Sequence, residues 1–200
     1  MLVVGLTGNI GCGKSSLSEI LRQNSIDVID ADIISREIMD NKSLLTEIFN
    51  SFGEQIKRED GSLDRKKLGS IVFANDEKLI KLNNITHPAI KKEIKKRIED
   101  IKANNRNIVI VDAALLVEGN FLDLVDKLIV ITCDEKTQID RIVSRDNFTR
   151  EEAISRIKSQ MSQDEKLKFG DYIIDNSGDM NDLKYKANKL IAYIKENWCE

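Results

Sequence analysis

The chain has 200 residues, 41% hydrophobic and 32% charged, with a formal net charge of −3. That length supports one α/β unit with a sizeable core and a smaller inserted lobe, and the composition excludes a staple-dependent miniprotein and a disordered chain. With so small a net charge no global field draws the protein to nucleic acid or to an anionic membrane, so neither is expected as a partner and any bound anion must be held by local groups.

The first apolar run, Leu2 to Leu6, reads as a buried strand, but it breaks into a loop with four glycines within nine positions, Gly5 to Gly13. A helical pattern follows from about Gly13, and a second strand is predicted at Asp27 to Asp30. From Ile34 to Arg106 roughly seventy residues pass with no convincing strand, far more than one crossover helix needs, so an inserted helical lobe is expected there. Inside it Pro88, the sole proline, interrupts a pattern that is otherwise helical from Asp76 to Lys102. A helix ending near Thr86 and restarting with Pro88 in its first turn is the expected outcome, with His87 at the joint as a cap or packing residue. The run Lys91-Lys92 and Lys95-Lys96-Arg97 reads as a solvated helix face. Further Val/Ile-rich strands are predicted at Asn107 to Asp112, Lys127 to Thr132 and Asp171 to Asp175; being nearly continuous in apolar residues and separated by helices, they point to a five-stranded parallel sheet covered on both faces. Thr149-Arg150-Glu151-Glu152 is a capping box at a helix start. Leu183, Ala187, Leu190, Ile191, Ile194 and Trp198 recur at helical spacing, so the last helix packs on the sheet.

Gly8-Asn9-Ile10-Gly11-Cys12-Gly13-Lys14-Ser15, followed by Ser16, fits G-x-x-x-x-G-K-[ST] between a predicted strand and a predicted helix. Bare backbone lets successive N–H groups wrap a polyphosphate, and the helix start adds unpaired N–H groups and a positive dipole end. Lys14 would then reach the β- and γ-phosphates and the Ser15 hydroxyl would ligate Mg²⁺. The motif by itself therefore calls for a nucleoside triphosphate and Mg²⁺.

A nucleotide site does not name a reaction. A guanine-reading Asn-Lys-x-Asp is missing, since Asn41-Lys42 and Asn188-Lys189 lack the aspartate, which weakens a GTPase switch. A kinase for a small hydroxyl needs a carboxylate near the γ-phosphate. Asp30-Ala31-Asp32 ends the second strand at the carboxyl edge, where open α/β sheets bind ligands. Asp32 is the candidate base, with a helix N-cap as the equally open alternative. Asp112 closes another strand, either to hold a Mg²⁺-bound water or as a turn residue. Arg141 and Arg145 fall at i,i+4 on one helix face; with the Asn147-Phe148 corner and the capping box they suggest a two-helix lid that brings arginines to the transferring phosphoryl group, against the alternative of a plain surface helix. Arg150 and Arg156 are weaker candidates.

Taken together, GLTGNIGCGKS, VIDADIISREI, DGSLDRKKLGSIVF, LNNITHPAI, LLVEG, RIVSRDNFTREEA and YIIDNSG resemble, in order and from Leu2 to about Gly178, the dephospho-coenzyme A kinase family. The resemblance implies a P-loop, nucleoside-monophosphate-kinase-like three-layer α/β fold with an inserted acceptor lobe and a helical lid. It places the nucleotide-binding core at 1–34, 104–136 and 166–200, the helical acceptor domain at 35–103 and the lid at 137–165. It implies phosphorylation of the ribose 3′-hydroxyl of dephospho-CoA by ATP, with Asp32 as base, Lys14 and Ser15 at phosphate and Mg²⁺, and Arg145 as the lid arginine. Leu115, Leu116 and Glu118 would line the acceptor's adenosine site, Asn176 would lie near the ATP base, and His87 matches a His-Pro motif in the lobe that receives the rest of the acceptor. The chain departs from the family in carrying Ala114 where a proline is usual, which implies a less rigid loop, and Asn9 and Cys12 where glycine and serine are commoner.

A kinase for another small metabolite and a nucleotide-dependent switch without transferase activity remain as alternatives. Three scattered cysteines, Cys12, Cys133 and Cys199, fit neither a disulfide framework nor a zinc cluster. With no basic leader before the first strand and no membrane-length apolar run, a cytoplasmic protein is expected; the sequence leaves the oligomeric state open, with a monomer as the first expectation. Beside Lys14 at a helix N-terminus, the Cys12 thiol is expected to ionise readily and to be open to oxidation.

Overall fold

The computed structural model describes residues 1–72 and 74–199. Along the chain run β1 (Leu2–Thr7), α1 (Lys14–Gln23), β2 (Asp27–Asp30), α2 (Ala31–Glu37), α3 (Lys42–Phe52), α4 (Arg65–Val72), α5 (Asp76–Ala103), β3 (Ile108–Asp112), β4 (Lys127–Thr132), α6 (Glu135–Asp146), α7 (Arg150–Lys158), α8 (Gln163–Leu167), β5 (Tyr172–Asp175) and α9 (Met180–Asn197). All five strands are parallel, in the order β2-β3-β1-β4-β5. The register aligns Leu6 and Asp30 with Asp112, Thr7 with Val130 and Thr132 with Asp175, so the strands end along one common carboxyl edge.

The chain divides into two compact units, one of Met1–Asp30 with the chain from Arg97 onward, the other Ala31–Lys96. The first holds the sheet. One of its faces buries Val4, Leu6, Ile110, Ile129, Ile131 and Ile174 against Leu17 and Leu21 of α1 and Leu183, Ala187, Leu190, Ile191 and Ile194 of α9, with Trp198 packed partly against them. That is the helical stripe read from the sequence. The second unit has its own core, in which Leu44, Ile48 and Phe52 of α3 meet Ile56, Leu63, Leu68 and Val72, backed by Leu79, Leu82, Ile85 and Ala89 of α5. The signature run of this lobe ends at Phe73, outside the described residues. The division falls at 30/31 and 96/97, four and seven residues before the limits of 34/35 and 103/104 that the resemblance implies.

Pro88 overturns one expectation. The helix does not stop at Thr86, because α5 continues from Asp76 to Ala103 with Pro88 inside it. A proline in a helix interior costs about 3 kcal/mol, but Pro88 and Asn84, the residue whose carbonyl loses its partner, both lie on the exposed side. Ile85 and Ala89 on one flank and buried Ile90, Ile94 and Ile98 beyond hold the helix by packing. His87 is therefore a half-buried residue within a continuous helix and not a joint.

Candidate nucleotide and acceptor site

The loop from Gly8 to Gly13 leaves β1 at the carboxyl edge and feeds α1, whose N-cap is Gly13 in a left-handed conformation, φ +89°. A side chain there would be strained, and a Cβ would lie 2.2 Å from Asn176 Nδ2. At Gly8 a Cβ would come within 2.5 Å of the Ile131 carbonyl oxygen. The glycines thus answer to protein neighbours behind the loop as well as to the open approach that phosphates require.

Lys14 opens α1 and pairs with Asp112 Oδ1, while the hydroxyl of buried Ser18, one turn on, donates to Asp112 Oδ2. Asp112 is 1% exposed, so this carboxylate is a buried anchor that orients Lys14 from the end of β3. Ser15, by contrast, is exposed at the helix start. Among the described residues no group of three or more His, Cys, Asp or Glu side chains is arranged to hold a metal. An exposed hydroxyl oxygen beside a polyphosphate cradle nevertheless fits Mg²⁺, which takes only one or two protein oxygens and keeps water and phosphate as its other ligands.

Behind the loop lies a brace of side-chain amides that the sequence reading missed. Asn9 Nδ2 donates to the Met161 carbonyl at 2.8 Å, the Ile10 amide donates to Gln160 Oε1 at 2.8 Å, and Gln138 Nε2 donates to the Ile10 carbonyl at 2.7 Å. Gln163 bridges Cys133 and Gln138. Asn176 is 3% exposed and gives its Nδ2 to the Cys12 carbonyl at 2.8 Å, so this residue, expected near the ATP base, is packed against the back of the phosphate loop. Arg141 continues the brace: Nη1 donates to the Asn176 carbonyl at 2.8 Å and Nη2 to that of Gly178 at 3.0 Å. Of the two arginines at i,i+4, only Arg145 points elsewhere, in an exposed two-pronged bond to Asp146 at 2.8 and 2.7 Å that holds the Asp146 carboxyl below its usual range.

The Cys12 expectation is reversed. Its thiol is fully buried with Sγ 3.5 Å from that of Cys133; the shared hydrogen bond and burial push its pKa up, while the same bond lowers that of Cys133. Cys12 is thus a buried packing residue whose thiol is held in its protonated form.

Helices α6 and α7, assigned to the lid, pack on each other through Ile139, Ile142 and Ala153, joined by Ile10 of the phosphate loop and by Phe148. Asn147 ends α6 at φ +54°, and Thr149 and Glu152 form the capping box with bonds of 3.2 and 2.8 Å. Arg156 stacks over the Phe148 ring at 4.5 Å, and Arg150 lies 4.0 Å from Asp140.

Two residues past the end of β2, Asp32 is exposed in the first turn of α2. By the bounds of α2 it occupies the second helical position rather than the N-cap. After β3, Leu115 is 51% exposed while Leu116 is buried; Glu118 is partly buried. Lys166 of α8 lies against this turn with its side chain fully buried, 3.0 Å from Glu118 Oε1 and from the Ala114 carbonyl.

The family profile for dephospho-CoA kinase matches residues 2–182. A dephospho-CoA kinase from Bacillus thuringiensis subsp. konkukian is 42% identical over 191 residues, 95% of this chain and 96% of its own length. The structure of a dephospho-CoA kinase from Campylobacter jejuni is 32% identical and superposes with a TM-score of 0.72 over 96% of both chains. A shikimate kinase from Bacteroides thetaiotaomicron, 15% identical, shares the fold with a TM-score of 0.55 over 97% of this chain and 98% of its own.

Proposed function

The chain belongs to the dephospho-CoA kinase family and is an ATP-dependent phosphotransferase of the last step of coenzyme A synthesis; we propose that its phosphate loop and Asp32 divide that reaction between binding and proton removal. The observation that carries the reading is the common carboxyl edge, where the Gly8–Gly13 loop leaves β1, Asp112 anchors Lys14, and β2 ends two residues before Asp32. Backbone N–H groups of the loop and the start of α1 take the β- and γ-phosphates, and the Lys14 ammonium neutralises charge that builds up as the γ-phosphoryl group moves. The brace from Gln138, Gln160, Asn176 and Arg141 keeps the loop shaped before the nucleotide arrives, so little reorganisation is needed at reaction. The exposed Ser15 hydroxyl would be this chain's ligand to Mg²⁺, which would supply charge neutralisation at the phosphates.

Asp32 accepts the proton of the acceptor's ribose 3′-hydroxyl as that oxygen attacks the γ-phosphorus. Leu115, Leu116 and Glu118 receive the acceptor's adenosine, and the lobe with His87 receives the remainder. Arg145 exchanges its exposed bond to Asp146 for the transferring group on lid closure, which also excludes water that would otherwise hydrolyse ATP.

A coupled assay for ADP release tests the reading. With dephospho-CoA and ATP, ADP should form in proportion to acceptor, stop on chelation of Mg²⁺ and resume when it is restored. ADP formed with a sugar acid or nucleoside but not with dephospho-CoA would indicate another metabolite kinase. Slow turnover indifferent to any acceptor would indicate a switch.

A further inference from the structure

The carbonyl of Ala114 is where three chain segments converge. It accepts a hydrogen bond from Thr7 Oγ1 at 3.1 Å, from the end of β1, and one from Lys166 Nζ at 3.0 Å, from α8. The same ammonium lies 3.0 Å from Glu118 Oε1, an ion pair without hydrogen-bond geometry, and neither buried oxygen of Glu118 has a hydrogen-bond partner. Lys166 is 0% exposed. Taking an ammonium out of water costs several kcal/mol, and a well-packed apolar side chain at such a place is often as stable or more so. Stability is therefore a poor reason for a lysine here.

What the ammonium does that an apolar group cannot is tie both ends of one turn, at residues 114 and 118. Inside the turn the Gly119 amide donates to the Leu115 carbonyl at 2.7 Å and the Phe121 amide to that of Leu116 at 3.0 Å. Leu116 is buried, and Leu115 is left 51% exposed as the turn's outward apolar side chain. The orientation of Leu115 and of the under-bonded Glu118 carboxylate is thus set by a cation on a separate helix.

We propose that Lys166 is a positioning residue for the acceptor, acting through Ala114 and Glu118 to fix the Leu115–Glu118 turn; this rests on the reading of that turn as acceptor-binding. A shift of about 1 Å in a positioning group is enough for a hundredfold loss in rate, so loosening the turn has a measurable effect.

Lys166→Met keeps the stem and removes the charge. Steady-state kinetics with each substrate varied in turn, alongside thermal unfolding, should give a KM for dephospho-CoA raised roughly tenfold or more, with the KM for ATP within about twofold. Because this variant leaves the Glu118 carboxylate buried alone and can fail to fold, Lys166→Met/Glu118→Gln provides a second form without a buried charge, read against Glu118→Gln alone because Glu118 is itself assigned to the acceptor; it should fold and show a dephospho-CoA KM raised beyond that of Glu118→Gln, since the Ala114 carbonyl remains untied. Leu115→Ala reports on the turn itself and should also raise the acceptor KM. If Leu115→Ala leaves that KM unchanged, the assignment of the turn fails and the inference falls with it. If Leu115→Ala raises it while the folded Lys166 variants do not, the role of Lys166 is overturned and the turn's assignment stands. Both KM values rising together in Lys166→Met, with the double variant no different from Glu118→Gln alone in either KM, would reduce Lys166 to a structural ion and likewise overturn the proposal.

Discussion

Replacing Gly13 by alanine attacks the phosphate loop without touching a charge. At φ +89° an L side chain adopts a left-handed conformation, which costs about 1–2 kcal/mol. Its Cβ would also stand 2.2 Å from Asn176 Nδ2 and drive that amide off the Cys12 carbonyl, leaving a buried acceptor unpaired for about 1–3 kcal/mol more. The sum, about 2–5 kcal/mol, is a large share of the 5–15 kcal/mol that typically holds a domain together. Urea unfolding of Gly13→Ala, Asn176→Ala and the double variant measures it. The double variant should be destabilised by less than the sum of the two single changes, because both break the same hydrogen bond. ATP affinity should fall with Gly13→Ala as the loop opens. A Gly13→Ala protein within about 0.5 kcal/mol of the parent, or strict additivity in the cycle, would refute the coupling of the loop to its brace.

Cys12 should resist iodoacetamide in the native protein at neutral pH and react once the chain is unfolded, as peptide mapping of the alkylated sites would show; rapid native labelling would contradict its raised pKa. Arg145→Ala should lower kcat far more than it changes ATP affinity, and isothermal titration beside steady-state kinetics separates the two. Burial and the nearby Lys91 charge hold the His87 imidazole below its ordinary pKa, so the unfolded chain takes up that proton first. Its contribution to stability is therefore complete at pH values above about 6.5 and is lost as the pH falls below that, until the native imidazole is itself protonated. The urea midpoint of the parent should drop more between neutral and mildly acidic buffer than that of His87→Gln, and equal drops would remove His87 from the pH response.

Much of the fold was legible because it is written in local pattern. Continuous Val/Ile runs marked all five strands to within a residue or so, the stripe from Leu183 to Trp198 marked the face of α9, and Thr149 with Glu152 marked the start of α7. The Gly8–Ser15 loop carried its own spacing. Pro88 misled because a local rule about helix interiors was outweighed by packing on both flanks, which no window of sequence displays. Cys12 misled for the opposite reason: Lys14 is a neighbour in sequence, whereas Cys133, 121 positions away, is the neighbour that sets its proton affinity. Ser162-x-x-Glu165 was a readable capping box that would have announced α8 and drawn attention to Lys166. The pairing of Lys166 with Glu118 had no such signal, since a lysine in a charged segment reads as a surface residue until topology brings α8 to the turn after β3. Nor did Gln138, Gln160 and Gln163 carry any mark of the brace they form, because glutamines gain that meaning only from the carbonyls and amides they meet.

The proton-removing role of Asp32 is the central claim, and rapid-quench measurement of a single turnover with Asp32→Asn tests it most directly. ATP and dephospho-CoA should bind this variant as they bind the parent, while phosphoryl transfer slows by about 10²–10⁴, the usual worth of a positioned general base. Transfer within about tenfold of the parent, with both substrates bound, would contradict the account.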